Sequence, residues 1–262
     1  MLRSKRADCK AEHCLTAEPD SAVSHKALGL QRGHNENVME QFSTDAAVRS
    51  YLPLMHELAI RIDLVADACD GRLNLTPPYA REYAYLQFRR MCELIALGCL
   101  QLHGDLPSTQ RQSTKKEWNA EKIMRILHKS HPHSFPQSVI REKTPEGWNI
   151  RANSKPNALT REEFKELYSE CGEVLHRGTI RSLQTTGAFN KEDYQKVIVW
   201  QGKIVDLMNE HLIGRANSKS FYITSLRTES GFPECSIFTL NESGGMDVAR
   251  RKMNINNEHV HP

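Results

Sequence analysis

Between Met91 and Leu100 the chain reads Met-Cys-Glu-Leu-Ile-Ala-Leu-Gly-Cys-Leu, with Glu93 as its single charged side chain. A segment that is apolar on nearly every face of a helix cannot lie on a surface, so other elements have to enclose it. Upstream, Thr76-Pro77-Pro78 supplies a capping hydroxyl and a proline at the first helical position, and His103-Gly104 follows the last apolar residue. A central helix is therefore predicted from Pro77 to about Leu102.

Companion helices are written at the right spacing. Val48, Leu52, Met55, Leu58, Ala59, Ile62, Val65, Ala66 and Cys69 recur every three or four residues over 46–70, with Pro53 near the start and Gly71 as a stop. Thr114-Lys115-Lys116-Glu117 has the form of a capping box opening a helix through Trp118, Ile123, Ile126 and Leu127 to His131-Pro132. Thr160-Arg161-Glu162-Glu163 is a second box, with Leu159 and Phe164 placed as a hydrophobic staple, and its helix runs to Arg177 before Gly178. Asn190 caps a last long helix whose stripe, Tyr194, Val197, Ile198, Ile204, Val205, Met208 and Leu212, continues to Gly214 and includes Gln201.

Strand signals are shorter. Val139 to Glu142 and Trp148 to Arg151 flank the turn Thr144-Pro145-Glu146-Gly147, and Phe221 to Leu226 with Ser236 to Leu240 flank Gly231-Phe232-Pro233. The expected fold class is mainly α: a helical bundle of about five helices with two small β-hairpins. Residues 43–240 form the expected single domain. Residues 1–42 and 241–262, polar and without a sustained period, are expected as a disordered extension and a disordered tail, and Met39 is read as an alternative native start.

Composition bounds the function classes. The 35 basic and 32 acidic residues leave a net charge of only +3, too weak a field to argue for nucleic acid by itself. No apolar run approaches the roughly 18 residues of a membrane span, and Asp8, Lys10 and Glu12 fall where a signal peptide needs apolar residues. Seven cysteines, odd in number and without paired spacing, read as reduced thiols in a cytoplasm. No glycine-rich phosphate loop, Gly-x-Ser-x-Gly elbow or His-Glu-x-x-His is present, and no cofactor is expected.

Several side chains invite chemistry. His128, His131 and His133 carry imidazoles on and after one helical turn, a spacing suited to zinc or, more simply, to the helix carboxyl end. Glu93 inside its apolar run needs a partner, which Arg89 and Arg90 can supply from the preceding turn. His176 falls beside Gly172, either lining a cleft or capping its own helix.

Arg125 and His131 stand in Arg-x5-His, a spacing similar to the Arg-x4-6-His motif of the HEPN family of helical ribonucleases. That resemblance implies that Arg125 and His131 handle a scissile phosphate. Beside it, Glu93 is read as a further catalytic candidate, and Lys115, Lys116, Lys122, Arg125 and Lys129 as phosphate contacts on and before the same helix. The leading expectation is different: a cytoplasmic, bacterial or phage-type interaction module without catalytic activity, which binds a protein partner or self-associates through the last long helix. A helical phosphate-handling enzyme acting on nucleic acid is the alternative, with Arg89, Arg90, His128 and His176 as binding candidates. No metal and no membrane enter either reading.

Overall fold

The structure is a computed structural model, and it describes residues 32–145, 147–153, 155–176, 191–216 and 219–253. Contacts divide the chain into a unit of residues 1–38 and one of 39–262. Of the first unit only the opening of helix α1 (Arg32–Cys69) is described. Everything that follows concerns the second.

Among the described residues five more helices, α2 (Pro77–Leu102), α3 (Gln112–Lys115), α4 (Ala120–Ser130), α5 (Arg161–Leu175) and α6 (Lys191–Met208), accompany α1. The strands are β1 (Gln137–Thr144), β2 (Gly147–Ala152), β3 (Glu210–Gly214), β4 (Ser220–Ser225), β5 (Glu234–Leu240) and β6 (Met246–Lys252). They form one antiparallel sheet in the order β2-β1-β3-β4-β5-β6. The expected all-helical bundle with two separate hairpins is thus incorrect: both hairpins exist, but they are parts of a six-stranded sheet in an α+β fold. Two strands hid from periodicity. Glu210–Gly214 was read as the end of the last helix because Met208 and Leu212 stand four apart; it instead alternates buried His211 and Ile213 with half-buried neighbours, as a strand does. Met246–Lys252, read as tail, is an almost wholly exposed edge strand with no apolar period to announce it.

Helix α2 carries the predicted bounds and is buried along much of its length, Tyr85, Phe88, Met91, Ile95 and Cys99 among its enclosed side chains. Ile62 from α1, Leu167 from α5 and Ile204 from α6 belong to one connected cluster, with Leu97 packed against it. Cys92, Cys99, Cys171 and Cys235 are buried free thiols. Burial pushes the thiols of Cys99, Cys171 and Cys235 up to about 12, so they act as small hydrophobes.

The capping signals had mixed outcomes. Thr160 accepts from the Glu163 amide (3.2 Å) while the Glu163 carboxylate accepts from the Thr160 amide (2.9 Å), the reciprocal box predicted. The box at Thr114 does not form: its hydroxyl donates to the Ser108 carbonyl (2.9 Å), α3 ends at Lys115, and Asn119 caps α4 by accepting from Lys122 N–H (3.0 Å). Trp118 consequently stands 65% exposed outside the core. The Asn190 cap and its Phe189 staple, like Arg177 and Gly178, lie outside the described residues.

Helices α1 and α2 approach closely at Gly98. A Cβ there would sit 2.6 Å from a ring carbon of buried Tyr51 and 3.3 Å from Met55, whereas one at Gly202 on α6 would meet nothing within 4 Å. Alanine improves helix propensity by about 1 kcal/mol at either site. At Gly98 the overlap outweighs it, since Tyr51 is itself tethered through its hydroxyl. Gly98→Ala is expected to destabilise by roughly 1–3 kcal/mol and Gly202→Ala to stabilise by about 0.5–1 kcal/mol. Urea unfolding of the two variants measures this, and stabilisation by both would refute the close approach.

Candidate functional site

The residues singled out by sequence do not assemble into one centre. Glu93 takes hydrogen bonds from Arg90 (2.9 Å) and Arg89 (3.4 Å) on its own helix, and the Arg89 guanidinium lies over the Tyr168 ring at 5.5 Å. That is a complete local arrangement on α2. Arg125 is exposed on α4, whereas His131 ends the same helix buried, with Nε2 donating to the Gly214 carbonyl at 3.0 Å. Among the described residues no hydrogen bond or ion pair joins Arg125, Glu93 and His131. His128 is half-buried with Nδ1 lacking a partner, and His176 is exposed, its backbone amide closing α5 onto Gly172 (3.0 Å). No group of three or more metal-ligating side chains comes together among the described residues. No helix there is long and apolar enough to cross a membrane.

Two buried histidines missed in the sequence hold the helices to the sheet. His211 Nδ1 lies 2.9 Å from the Met208 carbonyl, which can only accept, so Nδ1 carries the proton and Nε2 accepts from the Tyr51 hydroxyl at 2.5 Å. The pair joins α1 to β3 across 160 residues. Burial lowers the His211 pKa to about 4 and holds the Tyr51 hydroxyl well above its ordinary value. His103 at the end of α2 has Nδ1 on Cys99 O (2.8 Å) and Nε2 on Gly214 O (3.1 Å), and burial keeps it below the ordinary imidazole value, so a neutral ring serves one carbonyl at a time. Next along the chain, Arg215, 7% exposed, bonds Asp105 (2.7 Å) and Thr44 (3.2 Å). The hydrogen bonds of this cluster run between its own members and the backbone, as in a polar joint within a core.

The other polar side chains of interest are similarly occupied. Glu170 accepts from Tyr85 (2.6 Å) and Trp200 (3.1 Å), with Lys196 at 3.4 Å, and Gln201 donates to the Ile62 carbonyl (3.1 Å). On α6, Val197, Trp200, Ile204, Leu207 and Met208 are spent in the same core, while Ile198 and Val199 stand 48% and 46% exposed.

What the core leaves uncovered is the outer end of the sheet. Register places His211, Ile213, Tyr222, Thr224, Cys235 and Ile237 on one face, and four of these, Ile213, Tyr222, Cys235 and Ile237, belong to the core cluster. On the opposite face Phe221 stacks on Phe238 at 4.9 Å, and Val248 stands beside Phe238 on β6. Val248 is 48% exposed, and Leu240 and Met246, paired at the hairpin end, are exposed as well.

The ladder also fixes what the edge offers. The Asn241 amide bonds Gly245 O (2.9 Å) and the Met253 amide bonds Pro233 O (3.4 Å). Because hydrogen-bonded and open pairs alternate in an antiparallel ladder, Asp247, Ala249 and Arg251 turn their amides toward β5. Met246, Val248, Arg250 and Lys252 turn theirs outward. Among the described residues no strand covers them. Arg251 bonds Asp45 of α1 and Lys252 reaches Glu234 (3.4 Å), while Arg250 is exposed and forms no ion pair among the described residues.

No family model, no curated protein and no solved structure matches this chain. Function is therefore read from these surfaces alone.

The depressed His211 pKa carries a consequence for stability. The unfolded imidazole takes a proton near pH 6.5 and the folded one only near 4, so the contribution is intact above the first value and is lost as pH falls toward the second. A shift of that size is about 3 kcal/mol. Denaturant unfolding from pH 7 to pH 4 should show this decline in the wild type and a shallower one in His211→Gln, and parallel profiles would contradict the assignment.

Proposed function

We propose that this protein is an interaction module, without catalytic activity, that takes up an extended acidic segment of a partner protein by strand addition to β6. The observation that carries the reading is the outward row of backbone donors and acceptors at Met246, Val248, Arg250 and Lys252. Side chains of the same four residues project from the face that carries the stacked Phe221 and Phe238, so the row has a pattern as well as hydrogen bonds. Its hairpin half is apolar and its other half basic.

A partner strand matched to that row has two apolar side chains beside Met246 and Val248 and two carboxylates beside Arg250 and Lys252, at alternate positions. The apolar pair extends the Phe221-Phe238-Val248 ribbon by one strand. The carboxylates meet Arg250, which has no ion pair among the described residues, and Lys252, whose ammonium is largely exposed. Every pairing in the sheet is antiparallel, which favours the antiparallel approach.

The test is a labelled peptide reading Glu-Thr-Glu-Thr-Val-Thr-Val, with a lysine-for-glutamate version as comparison, followed by fluorescence anisotropy. Wild type should bind the acidic peptide and not the basic one. Val248→Pro removes an outward amide and leaves the β5 ladder intact, so it should abolish binding without shifting the unfolding midpoint appreciably. Arg250→Glu should weaken binding by about tenfold. Equal binding of the two peptides, or unchanged binding to Val248→Pro, would overturn the reading; so would light scattering that shows a dimer dispersed by Val248→Pro, which assigns the edge to a second copy.

A further inference from the structure

A groove of about 410 Å³ opens at the other end of the sheet, between the connection from α4 to β1 and the connection from β2 to α5. That volume falls in the range of small-ligand sites, roughly 300–1,000 Å³. Its walls have two characters. Phe135, held edge-on against Phe164 at 5.7 Å, lines it with Leu159, Leu207 and several prolines, and Lys155, Arg161 and His133 are its cationic or donor-bearing residues.

Among the described residues no carboxylate lines it. The acids next in the chain are engaged or exposed: Glu163 closes the Thr160 cap and pairs with Lys203 (2.8 Å), and Glu162 reaches Arg161 only at 3.8 Å with its own side chain 80% exposed. Lys155 has no ion pair among the described residues. In the rest of the described surface, basic side chains mostly stand beside acidic ones, as Arg61 with Glu57 and Arg72 with Asp67 and Asp70 do. A concave site holding one cation without an ion pair and a second paired only at 3.8 Å is suited to a ligand that brings negative charge.

We infer that this groove binds a small dianionic molecule with a flat apolar body, the anion on Lys155 and Arg161 and the body against Phe135 and Leu207. Two cations match two negative charges, and a guanidinium presents paired donors to the oxygens of such a group. The floor is rigid: Leu159 N–H bonds the Lys203 carbonyl (3.0 Å), the Lys155 amide lies 3.4 Å from the buried Ser138 hydroxyl, and the capping box fixes the chain at Arg161. The site is therefore preformed, and an occupant adds charge without ordering a loop. It lies at the start of β1 and along the segment after β2, apart from β6, and does not depend on the strand-addition reading.

Phenyl phosphate is the probe, titrated while amide resonances of 155–164 are followed by NMR, with phenol and inorganic phosphate as the body alone and the anion alone. Phenyl phosphate should shift Leu159 and its neighbours saturably and bind at least about tenfold tighter than either fragment. Lys155→Glu with Arg161→Glu should lose that binding and keep the fold, since a carboxylate in the first turn of α5 favours the helix. Absence of saturable shifts, equal binding by phenol or by inorganic phosphate, or undiminished binding by the double variant would overturn the inference.

Discussion

A helix that is apolar on nearly every side has to be surrounded, and the enclosure of α2 organises the rest of this molecule. Helices α4, α5 and α6 pack on it, and the cluster they share with α1 extends to Ile213, Tyr222, Cys235 and Ile237 of the sheet. One helical layer can cover only one face of a sheet. Among the described residues the opposite face keeps Ile223 and Ser236 buried but leaves Val248 exposed, and no strand lies beyond β6. The surface available for function is what remains once the demand of α2 has been met.

The polar groups inside that enclosure act on geometry. Tyr51 and His211 form a pair whose direction is set by the Met208 carbonyl, so the helix, the end of α6 and β3 are locked in one relation. His103 and His131 converge on the single carbonyl of Gly214 at the other end of the same strand. A short strand fixed at both ends by buried imidazoles cannot slip, and a slip of one residue would turn His211 and Ile213 outward. The five-residue β3 therefore joins the β1-β2 hairpin on one side to the β4-β5-β6 meander on the other as a fixed strand.

How much of this was legible follows from which forces leave a local trace. Helix α2 and the Thr160 cap were readable because burial on all sides and reciprocal capping are written within a few residues. The β1-β2 and β4-β5 hairpins were readable for the same reason, since turn chemistry is local. The sheet that unites them was not, because pairing of Gln137 with Leu212 joins residues far apart and leaves no period behind. Thr114 shows the limit of motif reading: its hydroxyl found the Ser108 carbonyl, and Asn119 five residues later took the cap. The site candidates failed similarly. Arg125 and His131 satisfy a spacing, yet one is exposed and the other buried, and spacing along a chain carries no information about burial. The outward edge of β6 needed the ladder itself, for only the partner strand decides which amides point away.

Charge on that edge separates its two conceivable partners. In the register that gives a second copy the greatest overlap with β6, Val248 would lie beside the copy's Arg250 and Met246 beside its Lys252, so each apolar side chain would be paired with a cation. Ala249 would meet Ala249 at the axis, contributing little area. Such a pairing places four cationic side chains along one face of a two-stranded seam, an arrangement that repels. Basic residues on an edge strand are a recognised guard against indiscriminate pairing. The guard is selective in sign, however: a strand carrying carboxylates at the matching positions replaces repulsion with attraction while keeping every backbone bond. On the proposed reading, Arg250 and Lys252 disfavour the copy and favour the acidic partner by one and the same charge, and the specificity needs no further element of the fold.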